Sequence, residues 1–99
     1  MRVIKATEYW TVTLSFQYSL VPGDNVKNIK WYHLTPNKRE LKTSAGKYKK
    51  YKITSDRKSL TITKLKPKED VGCYIAVVNL GDYTLRALFK LQVKALPRK

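Results

Sequence analysis

Four stretches of this chain set one series of core-type side chains at every second position, and that period of two restricts the fold more than any other feature. Val12, Leu14, Phe16 and Tyr18 alternate with Thr11, Thr13, Ser15 and Gln17. Leu60 and Ile62 alternate with Ser59, Thr61 and Thr63. Tyr74, Ala76 and Val78 alternate with Cys73, Ile75 and Val77, and Leu85, Ala87, Phe89, Leu91 and Val93 alternate with Arg86, Leu88, Lys90 and Gln92. A strand sends successive side chains to opposite faces, so such runs are strands with one face in a core. No window keeps an apolar helical period over three turns.

Turn-forming residues punctuate the runs at Pro22-Gly23-Asp24-Asn25, Thr35-Pro36-Asn37, Ser44-Ala45-Gly46, Ser55-Asp56 and Gly81-Asp82. The strands expected between them cover residues 2–6, 9–20, 27–34, 39–43, 47–54, 58–65, 72–80 and 83–94. Eight short strands at this rhythm predict an all-β sandwich or barrel. With 99 residues, 42% of them apolar, the chain suffices for one compact core. The domain is expected over residues 1–95, with 96–99 as a linker or tail, and no internal repeat is visible. No apolar run approaches the roughly 20 residues that cross a bilayer. The first residues hold Arg2, Lys5 and Glu8 instead of the apolar block of a signal peptide.

One segment carries a family resemblance. Asp70-Val71-Gly72-Cys73-Tyr74-Ile75-Ala76 resembles the D-x-G-x-Y-x-C signature of immunoglobulin domains, with alanine in the place of cysteine. Trp31 matches the buried tryptophan of the family's strand C, and Phe16 stands where the first cysteine belongs. Ser59-Leu60-Thr61-Ile62 with Leu65 resembles strand E, and Tyr83 to Val93 resembles the long last strand. The resemblance spans residues 3 to 94 and implies two antiparallel sheets with Greek-key connections. It implies a structural core of Phe16, Trp31, Leu60, Ile62, Asp70, Gly72, Tyr74 and Ala76, in which Tyr74 forms the tyrosine corner. The Asn79-Leu80-Gly81-Asp82 turn is similar to the tight last hairpin of the intermediate set. Members of that set without a disulfide are typical of giant muscle proteins of the titin, twitchin and obscurin type. Adhesion receptors use the same domain but normally keep the cysteines.

The missing bridge has an energetic consequence. A disulfide closing a loop of about 60 residues is worth on the order of 4 kcal/mol in the chain-entropy picture. Phe16 against Trp31 is the expected substitute, since aromatic pairs add about 0.5–1.5 kcal/mol beyond area burial. The lone Cys73 cannot form an internal disulfide, which favours a reducing compartment such as the cytosol.

Catalytic constellations are missing from the sequence. Glu69 and Asp70 belong to the expected E–F loop, and Ser55, Asp56 and Ser59 have no supporting histidine. The one histidine, His33, is expected at the surface near the end of strand C, and Cys73 is expected half-exposed. No phosphate-cradling glycine loop is present. The expectation is a non-enzymatic domain with neither cofactor nor metal.

Two surfaces are candidates for binding. Tyr32, Ile75, Val77 and Leu88 are expected to face outward on neighbouring strands, where contiguous apolar residues mark a contact site. Lys47, Lys49, Lys50 and Lys52, with Lys42, Tyr48 and Tyr51 nearby, form a basic tract, and Lys64, Lys66 and Lys68 a second. The net charge of +14 permits attraction to nucleic acid, anionic lipid or an acidic protein face and does not choose among them; for the lysine tract an acidic protein or a lipid headgroup is the expected ligand ahead of nucleic acid. Lysines on an edge strand also block aggregation without any ligand. The leading expectation is a protein-interaction or structural module of a larger intracellular cytoskeletal or sarcomeric protein, binding a protein partner or neighbouring domains. The alternatives are a domain binding a polyanion (phosphoinositide membrane or nucleic acid) and an extracellular adhesion-receptor domain whose cysteines were replaced.

Overall fold

The computed structural model describes residues 1–34, 38–44 and 49–97. Eight strands follow one another: β1 (Arg2–Thr7), β2 (Val12–Ser15), β3 (Asn28–His33), β4 (Arg39–Leu41), β5 (Tyr51–Ile53), β6 (Ser59–Ile62), β7 (Gly72–Asn79) and β8 (Thr84–Lys94). They form a five-stranded sheet ordered β1-β8-β7-β3-β4 and a three-stranded sheet ordered β2-β6-β5. Only β1 and β8 run parallel; the other pairs are antiparallel. This is the Greek-key sandwich that the alternation and the resemblance imply, with β2, β3, β6, β7 and β8 in the places of strands B, C, E, F and G.

Two expected strands are much shorter in the structure, each for a local reason. The run from 9 to 20 starts late because Tyr9 adopts a left-handed conformation (φ 72), which turns the chain from one sheet to the other. It ends at Ser15 because its partner β6 begins at Ser59, and only one further bond, Phe16 N–H to the Lys58 carbonyl at 3.2 Å, continues the ladder. The run from 47 to 54 retains Tyr51–Ile53; Lys47 and Tyr48 lie outside the described residues, as do the expected turn residues 35–37 and 45–46. Thr54 closes the following turn: its N–H bonds the Ser59 carbonyl at 3.1 Å, and its own carbonyl accepts the Arg57 N–H at 2.9 Å.

The core lies between the sheets. Leu14, Trp31, Leu60, Ile62, Leu65, Tyr74 and Ala76 are each 0% exposed. Two devices join the sheets without a covalent link. At the centre, the Trp31 indole meets the Phe16 ring edge-on at 5.6 Å and stacks on Phe89 at 5.7 Å. Ala76 is the cross-strand neighbour of both Trp31 and Ala87, so small side chains leave room for the large rings. The indole N–H donates to the Arg57 carbonyl at 2.9 Å, which satisfies the one polar atom of the ring.

The second device closes one pole. Asp70, 2% exposed, accepts Lys50 Nζ at 2.6 Å and the Lys66 N–H at 2.7 Å, while Tyr74 donates its hydroxyl to the Asp70 carbonyl at 2.7 Å. Lys50 precedes β5 and Tyr74 lies on β7, so the cluster ties the three-stranded sheet to the five-stranded one. The opposite pole ends in the tight β7–β8 hairpin. Leu80 N–H bonds the Tyr83 carbonyl at 2.9 Å, and Gly81 takes a φ of +91 that a side chain would strain.

Candidate protein-docking face

The outer face of the five-stranded sheet is built by register. Trp31, Tyr74, Ala76 and Phe89 point inward, so the residues between them point out. Tyr32 pairs with Ile75, and Ile75 with Leu88, which makes one continuous row across β3, β7 and β8. The next row is Lys30, Val77 and Arg86. On the other side Cys73 pairs with Lys90, and Lys90 with Val3 of β1. The four sequence-predicted residues Tyr32, Ile75, Val77 and Leu88 therefore come together.

Their exposure differs. Leu88 is 39% exposed and Val3 54%, whereas Ile75 is only 8% exposed, because its cross-strand neighbours shelter it. Tyr32 and Val77 are half-buried. Lys38 Nζ stands 4.6 Å from the Tyr32 ring centroid, a cation–π contact at the rim. Lys30, Arg86 and Lys90 complete a cationic border, with Glu40, the neighbour of Tyr32 on β4, as its acidic member. The arrangement is an apolar strip bordered by positive charge.

The basic tract is not assembled as the sequence suggested. Lys50 is only part-exposed, and its ammonium is engaged within the fold. Its ammonium donates to Asp70 and to the carbonyls of Thr63 at 2.9 Å and Lys64 at 3.0 Å, so its charge is compensated inside the fold. The twenty-residue separation from Asp70 gave no local sign of this pair. Lys49 and Lys52 are exposed, and Lys47 lies outside the described residues. An open groove of about 630 Å³ runs instead beside β4 and β5, lined by Lys30, Glu40, Lys42, Thr43, Thr54 and Arg57 among others.

His33 is the clearest correction. It is 3% exposed rather than at the surface. Its ring stacks on Tyr74 at 4.2 Å, nearly parallel, and Nε2 lies 3.0 Å from the Val71 carbonyl. The alternation of Ile29, Trp31 and His33 continues to the last residue of β3, and that period could have placed it. Burial pushes the Tyr74 hydroxyl far above the ordinary tyrosine range, so it stays a donor at any physiological pH. Burial also raises Tyr51, against an opposing pull from Arg39, whose guanidinium donates to the Tyr51 oxygen at 3.2 Å. Cys73 is half-exposed on the outer face, and no cluster of three metal-ligating side chains exists among the described residues.

Two stacked sheets, the Tyr74–Asp70 corner and the buried Trp31 define an immunoglobulin-like β-sandwich, built without a core disulfide. Solved structures of that fold superpose on nearly the whole chain. The extracellular domain of the voltage-gated sodium channel beta4 subunit, a parallel homodimer with a role in cell–cell adhesion, matches with TM-score 0.74 and 20% identity over 96% of this chain and 92% of its own. The titin Ig tandem A164–A165 matches with TM-score 0.75 and 16% identity over 97% of this chain, which spans 45% of the tandem. The first Ig-like domain of human CD48 matches with TM-score 0.71 and 20% identity over 100% of this chain and 87% of its own. No protein-family profile matches the chain, and no curated protein matches it by sequence.

Proposed function

We propose that this domain is a non-catalytic protein-interaction module that docks a partner through the outer face of β3, β7 and β8. The observation that carries the reading is the continuous row Tyr32–Ile75–Leu88, with Val77 beside it and Lys30, Arg86 and Lys90 around it. Covering such a strip removes apolar area from water at about 25 cal/mol per Å². The cationic border favours a partner with acidic residues around its own apolar centre and speeds the encounter. A modular cytoskeletal or sarcomeric protein is the setting we favour. Titin neighbours and the replacement of both cysteine positions by Phe16 and Ala76 support it. The adhesion neighbours support an extracellular setting as the second reading.

A photoreactive residue placed at Leu88, compared with one at Thr61 on the opposite sheet, tests the docking face. Adducts are expected at Leu88 alone, and excess unlabelled wild-type domain should suppress them while Leu88→Asp domain should not. Equal labelling from the two positions would end the proposal. Fractionation of the parent protein with or without reducing-compartment markers separates the two settings.

A further inference from the structure

At one end of the sandwich two large aromatic side chains stand mostly in solvent. Tyr9 and Trp10 are each 57% exposed. Backbone bonds hold the turn that presents them: Tyr9 N–H to the Leu65 carbonyl at 2.8 Å, Trp10 N–H to the Thr7 carbonyl at 3.0 Å, and Leu65 N–H to the Trp10 carbonyl at 3.1 Å. Tyr9 has φ 72, and Lys64, on the chain bonded to it, has φ 48. Left-handed conformations are costly for side chains of this size and concentrate at working surfaces.

Positive charge surrounds the pair. Lys64 and Lys66 flank Leu65, which is bonded to both Tyr9 and Trp10, and the Lys94 carbonyl accepts the Glu8 N–H at 2.8 Å next door. Lys68 follows in the same loop. Of the nearby carboxylates Glu8 and Asp70 are buried, and Glu69 is exposed and paired with Lys66 at 3.7 Å.

We infer that this end of the domain docks on an anionic lipid surface, with Tyr9 and Trp10 among the headgroups and Lys64, Lys66, Lys68 and Lys94 over the phosphates. Tryptophan and tyrosine settle at the membrane interface, where one part of the ring is apolar and the other wet. Each lysine near an anionic leaflet adds attraction that decays within a Debye length. The two signals act together, and either alone gives weak binding. A single nucleic-acid strand is less suited to the site: it needs a groove that tracks its backbone beneath stacking rings. The groove beside β4 and β5 lies apart from Tyr9 and Trp10, and among the described residues its lining holds no aromatic side chain.

The fluorescence of the protein reads the event directly. Of its two tryptophans Trp31 is 0% exposed, so a change in emission on adding vesicles reports Trp10. Phosphatidylcholine vesicles with roughly a third phosphatidylserine should shift the emission to the blue, and pure phosphatidylcholine should not. Salt at about 1 M, where the Debye length falls to about 3 Å, should reverse the shift. Reversing Lys66 and Lys94 to Glu should lower vesicle partition by about tenfold or more, with the thermal midpoint confirming that the variant folds. Leu88→Asp should leave vesicle binding intact, which separates this site from the docking face. Emission unmoved by phosphatidylserine, an equal shift with the neutral lipid, or a shift produced only by oligothymidylate would each overturn the inference.

Discussion

The two sheets obey one rule of alternation on their inner faces and present unlike surfaces outside. The outer face of the five-stranded sheet carries Tyr32, Ile75, Val77 and Leu88 with cations around them. The outer face of the three-stranded sheet carries hydroxyls. Thr13 and Thr61 bond each other at 3.0 Å, as do Ser15 and Ser59, and Lys52 pairs with Thr61 from the other side. Hydroxyls that satisfy each other and water gain little from a partner, whereas an apolar strip gains by being covered. Periodicity tells which residues face out; the chemistry of those residues tells which face has a use for company.

Substitutions at matched positions put the contrast to the test. Ile75→Asp places a carboxylate at a site 8% exposed, under Tyr32 and Leu88, and should cost at least about 3 kcal/mol. Thr61→Asp, in the hydroxyl row, should cost less than about 1 kcal/mol. Urea midpoints measure both, and comparable losses would mean that the two outer faces are equally solvated. Leu88→Asp lies between them. At 39% exposure it should change stability by less than about 1 kcal/mol yet weaken docking by about tenfold, the usual cost of a truncated contact at the centre of an interface.

Period-two patterning made the sandwich legible, because it follows from covalent geometry and needs no knowledge of neighbours. Tyr32, Ile75, Val77 and Leu88 could be placed together for the same reason, once strand order was taken from the resemblance. What stayed hidden depends on contacts between distant segments or on single dihedral angles. Lys50 reads as one more surface lysine until Asp70 is folded against it. Tyr9 and Trp10 read as the start of a strand, since no residue type there announces a left-handed turn. His33 was legible too: a histidine near a strand end suggests the surface, but the phase set by Ile29 and Trp31 outranks residue type.

The hydroxyl face offers a finer measurement. Thr13→Val and Thr61→Val singly leave one hydroxyl facing water, and each should cost below about 0.5 kcal/mol. The double-mutant cycle should return a coupling of about 0.2–1 kcal/mol, the range of cross-strand pairs. A coupling of zero would mean that the face is held by solvent alone, which would widen its difference from the apolar strip.

The smallest effect sits in the turn between β5 and β6, where the polar character of the three-stranded sheet reaches its border. Asp56 accepts Thr54 Oγ1 at 2.6 Å and the Lys58 N–H at 3.0 Å. These bonds, the Thr54 hydroxyl first, hold its carboxyl below the usual aspartate value of 3.8. A folded pKa below the unfolded one means that the unfolded chain takes up the proton first on acidification. The contribution of Asp56 is therefore present above about pH 4 and is lost as pH falls through the depressed value. Asp56→Asn keeps acceptor geometry without the charge. Its urea midpoint should lie slightly below wild type at neutral pH and converge on it in acid, as Asp56 takes up its proton in the folded state. A gap that stays constant with pH would assign the turn's stability to hydrogen-bond geometry and remove the charge from the account.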